Sequence, residues 1–162
     1  MRRVPLVVGL FALLLVCGVV AYLASPSAGE APPRVHFEMD APKRALLREP
    51  TDLEVRVQNL GTVPIRDLGV KINRGYANVF TITRTRPLAQ IDDASTERRL
   101  YFGPVEPGES KAFRITMSPQ RTGDFSLTLR LVAARRGFDP QPLTDATTGA
   151  AELTAVTSVL ER

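Results

Sequence analysis

From Arg34 onward, apolar side chains recur at every second position in one segment after another, and the gaps between segments are too short for crossover helices. Successive side chains of an extended chain point to opposite sides, so this period of two marks strands with one buried face. Val35, Phe37 and Met39 alternate with His36 and Glu38, and Leu53, Val55 and Val57 alternate with Glu54, Arg56 and Gln58. Leu68, Val70 and Ile72 follow, then Phe80 with Ile82, then Leu100 with Phe102. Phe113, Ile115 and Met117, then Phe125, Leu127, Leu129 and Leu131 set against Ser126, Thr128 and Arg130, complete seven predicted strands.

Turn chemistry separates these segments. Asn59-Leu60-Gly61 supplies residues that tolerate positive φ, Pro107-Gly108 suits the central positions of a type II turn, and Arg121-Thr122-Gly123-Asp124 suits a tight hairpin. Strands spaced about ten residues apart without helices between them predict an all-β, immunoglobulin-like antiparallel sandwich over residues 34–162. The tail from Ala150 to Leu160 fits two templates: Leu153, Val156 and Leu160 suit a helix, whereas Leu153, Ala155 and Val159 suit a strand.

An extended segment ending in VQNLGTVPIRDLGVKI, then YFGPVEPGESKAFRI, then SPQRTGDFSLTLRL, resembles the bacterial and archaeal Ig-like domains related to the CARDB cell-adhesion family. The resemblance covers about residues 45–134 and rests on an Asn-x-Gly turn, a Pro-Gly-Glu turn and a Gly ahead of an aromatic. It implies an Ig-like fold and an interaction or adhesion role; the matched positions are turn and core residues, so it implies no catalytic residue.

Ahead of the sandwich, Val4 to Leu23 is an uncharged run of 20 residues. At about 1.5 Å per helical residue it spans a bilayer's hydrocarbon core. Cleavable signals have shorter apolar cores of about 7 to 15 residues, and the best cut, after Ser27, is a poor one, so the run is predicted to remain as a signal anchor. Resemblance to a lipoprotein signal at Cys17 fails because Val16 precedes the cysteine. Arg2 and Arg3 keep the amino terminus in the cytoplasm under the positive-inside rule. The predicted organisation is a cytoplasmic stub (1–3), a transmembrane helix (4–23), a Pro/Ser-rich linker (24–33) and an extracytoplasmic domain (34–162) that is periplasmic or extracellular. Gly9 and Gly18 permit close helix packing but stand too far apart for a Gly-x-x-x-Gly face.

Composition excludes several chemistries. The chain has one cysteine and one histidine, Cys17 and His36, so neither a disulfide brace nor a zinc or blue-copper ligand set is available to the domain. A nucleophile-base pair would have to run through His36, close to the tether. The net charge of +4 is too small an excess for nucleic-acid binding.

Three groups of residues invite a functional reading. Asp92, Asp93 and Glu97, read as part of a loop, offer carboxylates to calcium, but without a regular Asp-x-Asp-x-Asp-Gly spacing they read as a solubilising loop; a glycosidase reading of the same carboxylates lacks a tryptophan. Arg84, Arg86, Arg98, Arg99, Arg135 and Arg136 suit a basic patch for anionic headgroups or wall polymers, or local pairs with those three carboxylates, and the pairs are the simpler expectation. Tyr76 and Phe138 stand beside glycines, either as exposed anchors or as caps on the sandwich.

The sequence therefore predicts a membrane-anchored interaction or adhesion module with no catalytic residue, metal or cofactor. Its partners are the bilayer through residues 4–23 and a protein or cell-envelope component. An accessory or assembly subunit of a larger membrane complex is the alternative.

Overall fold

The computed structural model of the chain describes residues 33–135 and 138–161. The predicted anchor at 4–23 lies outside the described residues; among those described, no helix is long and apolar enough to cross a membrane. From Pro33 onward the chain forms one compact unit.

Its strands are β1 (Val35–Asp40), β2 (Arg44–Leu46), β3 (Thr51–Asn59), β4 (Leu68–Asn73), β5 (Phe80–Arg86), β6 (Gln90–Asp93), β7 (Glu97–Tyr101), β8 (Ser110–Pro119), β9 (Gly123–Arg135), β10 (Phe138–Pro142) and β11 (Leu153–Leu160), with a single helical turn, α1 (Arg74–Ala77), between β4 and β5. They form a four-stranded sheet in the order β1-β3-β8-β5 and a larger sheet in the order β2-β11-β9-β4-β7-β6, with β10 also paired to β9. β11 and β2 run parallel. The other strand pairs are antiparallel.

Each alternating segment of the sequence is a strand here, and its apolar set faces the other sheet. Leu53, Val55 and Val57 of β3 and Phe113, Ile115 and Met117 of β8 are buried, as are Leu68, Val70 and Ile72 of β4 and Leu127, Leu129 and Leu131 of β9. Tyr76 stacks on Phe80 at 4.1 Å between ring centroids, and Phe80 meets Phe125 edge-on. Tyr76 is thus a core cap rather than an exposed anchor.

Four strands, β2, β6, β10 and β11, go beyond the seven predicted. β2 and β6 are short edge strands without a clean alternation, and β10 carries Pro140 and Pro142, which only an edge accommodates. β11 resolves the ambiguous tail as a strand: Thr157 and Val159 are buried, while Val156 and Leu160, two of the three apolar positions of the helix template, are exposed.

Two turns differ from expectation. Arg121 to Asp124 does not close a hairpin, because both edges of β8 are already occupied by β3 and β5, so the chain crosses to the other sheet before β9 begins at Gly123, with φ 128°. Gly61 does not adopt positive φ; Asn59 acts there through its side chain. The Pro107-Gly108 turn has the expected form, with Gly108 at φ 76° and Glu109 N–H donating to Glu106 C=O at 3.0 Å.

Gly69 supports the larger sheet for a different reason. A Cβ there would lie 2.7 Å from Val132 Cγ2 and 3.0 Å from Tyr101 Cε1, side chains of the two strand partners that flank it. We expect Leu127→Ala to lower stability by about 2 to 5 kcal/mol, the range for truncating a buried leucine. Thr128→Ala should stay within about 1 kcal/mol of wild type. Denaturant melts of the two variants check this register directly, and equal losses would refute it.

Candidate functional site

Among the described residues, the polar side chains that the sandwich buries are Asn59, Thr85, Asp145 and Thr157. Each is engaged in holding one chain segment against another. Asp145 follows β10 and reaches β1: its Oδ2 accepts from Phe37 N–H at 2.7 Å and lies 2.9 Å from His36 Nδ1, while its Oδ1 accepts from Thr147 and Thr148 N–H at 2.8 and 2.7 Å. Burial pushes the carboxyl up, but the amides of Phe37, Thr148 and Thr147 outweigh it and hold Asp145 well below the ordinary carboxylate range. His36, the one residue through which a nucleophile-base pair was conceivable, is occupied here as a partner of Asp145, with Glu38 3.5 Å from its other nitrogen.

Asn59 ties the end of β3. Its Oδ1 accepts from Gly61 N–H at 2.9 Å, and its Nδ2 donates to Val63 C=O at 2.9 Å and Val105 C=O at 3.1 Å. The Thr157 hydroxyl donates to Pro42 C=O at 2.7 Å and lies 3.1 Å from the Tyr76 hydroxyl. Thr85 Oγ1 accepts from Ala89 N–H at 2.9 Å, closing the turn after β5.

The residues PLAQIDDASTE, expected as a loop, form most of the β6–β7 hairpin instead. Alternation on paired strands places Asp92, Arg99, Lys71 and Arg130 in one row across the outer face, with Glu152 bonded to Arg130 at its end. Glu97 spans Lys71 and Arg99 at 2.9 and 2.8 Å, and Asp92 lies 3.9 Å from Arg99. Part burial pushes Glu97 up, but these two cations outweigh it and lower it overall. Three carboxylates, Asp92, Glu97 and Glu152, therefore answer the three cations of this row.

Asp93 pairs with Arg98 at 2.6 Å and with Arg74 at 2.9 Å, and Arg98, aided by Arg74, lowers its carboxyl. Among the described residues, no group of three or more His, Cys, Asp or Glu side chains is placed to hold a metal ion.

Arg84 and Arg86 part company with this hairpin. They sit on β5, in the other sheet, opposite Thr116 and Arg114 of β8. Arg114 is answered by Glu54 and Asp52, at 3.3 and 3.9 Å, but neither Arg84 nor Arg86 has an ion-pair partner among the described residues. The expected pairing of all these arginines with Asp92, Asp93 and Glu97 thus holds for Arg98 and Arg99 and fails for Arg84 and Arg86, which the sandwich puts on the other layer. The side chains of Arg135, Arg136 and Phe138 lie outside the described residues.

Beyond Arg86 the chain turns through Pro87 to Leu88, which is 89% exposed, and then enters β6, where Ile91 is 47% exposed. A second exposed apolar group, Leu46, Val156 and Leu160, lies on β2 and β11, with Leu160 directly opposite Leu46. Leu88 and Asp145 stand outside the candidate residues legible in the sequence. Leu88 belongs to no alternating run, which was the one local sign that it faces water; Asp145 heads an Asp-Ala-Thr-Thr-Gly stretch whose turn chemistry announces side-chain to backbone bonds.

No protein-family model matches the sequence, and neither does any curated protein. Among solved structures, the chain is similar to the CARDB domain of a Pyrococcus furiosus protein crystallised in complex with di-metal ions. The TM-score is 0.51 at 15% identity, over 80% of this chain and 90% of that one. A cohesin module from a Clostridium perfringens family 33 glycoside hydrolase aligns at a TM-score of 0.49 and 7% identity, over 80% of this chain and 99% of that one. The first likeness shows the fold alone, an Ig-like β-sandwich.

Asp145 generates a pH prediction. A carboxyl held below its unfolded value binds its proton less readily in the folded state, so its stabilisation is complete above about pH 4 and is lost as pH falls further. Asp145→Asn should destabilise at neutral pH, by about 1 to 3 kcal/mol for each buried donor left without an acceptor. The difference from wild type should narrow below about pH 4. Denaturant melts from neutral to acid pH check it; a gap that widens on acidification refutes it.

Proposed function

We propose that the chain is a single-pass, non-enzymatic interaction module, anchored through residues 4–23, that presents its Ig-like sandwich on the outer side of the cytoplasmic membrane to a protein or cell-envelope partner. The observation that carries the reading is where the side chains are used. The buried polar groups are bonded to neighbouring segments and the outer-face cations Lys71, Arg99 and Arg130 of the larger sheet are answered by carboxylates, whereas the β5 edge carries two arginines without an ion-pair partner among the described residues and leads into exposed Leu88. Edges and exposed apolar groups are the material of protein docking. The 20-residue uncharged run and the two arginines ahead of it support the anchor and its orientation.

The alternative, an accessory or assembly subunit docking on a larger membrane complex, draws support from the second apolar group at Leu46, Val156 and Leu160. Purification of the native protein from membranes separates the two: retention by cell-wall or surface polymer favours the adhesion form, and a stoichiometric membrane partner favours the accessory form.

The anchor is tested by mass spectrometry of the mature protein in the membrane fraction. We expect an intact amino terminus; a protein beginning near Ala28 and released from the membrane overturns the anchored reading.

A further inference from the structure

Of the groups that the internal pairings leave over, the free edge of β5 combines the most features in one place. β5 is the last strand of the four-stranded sheet, paired to β8 on one side only. Its residues Thr81, Thr83, Arg84 and Arg86 are exposed. Arg84 and Arg86 stand two residues apart and flank buried Thr85, so they share the outward face. Both are cations without a carboxylate partner among the described residues, whereas Arg114, beside them on β8, is answered by Glu54 and Asp52. Leu88 follows at the tip of a turn that is held shut by the bond from Ala89 N–H to the buried Thr85 hydroxyl, which fixes the backbone that exposes it.

Charge on an edge strand, and an irregularity such as the register shift between Ile82 and Arg84, are common protections against unwanted strand pairing. Protection alone asks for no leucine 89% exposed at the end of that edge. Together, an open backbone ladder, two unanswered cations at a spacing of two and a fixed apolar tip make a surface with a definite complement.

We propose that the β5 edge docks an extended acidic segment of a partner protein by strand addition. Carboxylates two residues apart stand opposite Arg84 and Arg86, and an apolar side chain covers Leu88. Residues directly opposite on paired strands have Cβ atoms about 4.5 to 5.5 Å apart, so an acidic-x-acidic pattern is the one whose side chains fall in register with both arginines. The backbone ladder provides the attachment and the charge pairs fix register and sign. The assignment rests on the interaction-module reading and deepens it by naming the partner's chemistry.

The test uses the full chain in nanodiscs of neutral lipid. The probe is a fluorescent nine-residue peptide that alternates glutamate and valine and ends in leucine; its lysine-valine counterpart is the control. We expect saturable binding of the acidic peptide only, weakened by added salt, with slowed amide hydrogen exchange across β5. Arg84→Glu combined with Arg86→Glu should weaken binding about tenfold or more, as expected for losing two rim charge pairs. Leu88→Ser should weaken it less. These positions are exposed, so the variants should melt as wild type does, and a melt of each confirms that binding is read on folded protein.

Equal binding of the lysine peptide, or unchanged binding by the double variant, overturns the proposal. So does protection of β5 by anionic nanodisc lipid without peptide, which makes the surface a membrane contact, or self-association that the double variant abolishes, which makes it an interface between copies of this chain. If the double variant loses the peptide but keeps the native partner purified from membranes, the edge assignment fails and the module reading stands. If the wild-type protein retains no protein or envelope partner, the module reading itself fails.

Discussion

Asp145 is the one charged side chain, among the described residues, that the sandwich withdraws from water, and much of the domain's closure depends on how that charge is satisfied. An isolated carboxylate in such a place costs several kcal/mol, and only donors arranged around it make the burial tolerable. Here three backbone amides and His36 surround it. The amides come from two places far apart in sequence, β1 and the segment after β10. The Asp145 carboxylate therefore fastens the first strand of one sheet to the approach to the last strand of the other. Ala146 N–H donating to Val35 C=O at 2.7 Å completes the tie.

Asn59 does comparable work with a neutral side chain at the end of β3. Its amide reaches Val63 C=O and Val105 C=O, the latter also accepting from Ile65 N–H at 3.0 Å, and a Cβ at Gly61 would come within 3.2 Å of Asn59 Oδ1, so a side chain there would crowd the clasp. The common logic is that strand ends leave orphan backbone groups, and a buried end must recruit side chains to meet them. With no cysteine in the domain, hydrogen-bonded clasps of this kind tie the strand ends without a disulfide.

The exterior follows a different rule. On the larger sheet, Arg99, Lys71 and Arg130 stand opposite one another on adjacent strands, and each is answered by a carboxylate within the fold, from Glu97 or Glu152. Such exposed pairs add little stability singly, but they cancel the field a partner would feel. On the smaller sheet the acids gather on β3 while Arg84 and Arg86 sit beyond β8, out of their reach. Separation of charge across a sheet, rather than the number of arginines in the chain, is what leaves Arg84 and Arg86 without a carboxylate partner among the described residues.

The sequence by itself determined that seven alternating segments between Val35 and Leu131 form strands, which face of each is buried, and that no disulfide or cysteine-histidine metal site is available to the domain. Those are consequences of period-two alternation and of composition, and both are local properties. It also carried the CARDB resemblance that the fold bears out at the level of architecture. Only the tertiary structure decided that PLAQIDDASTE is largely a hairpin, that Arg121 to Asp124 bridges two sheets, that the tail is a strand, and that Tyr76 is buried. Each of those depends on which strand edge is already occupied and what lies across the core, and neither is written in neighbouring residues. The same holds for the arginines: a string of letters places Arg84 eight residues from Asp92, but the sandwich puts them on different layers, and electrostatic pairing acts through space.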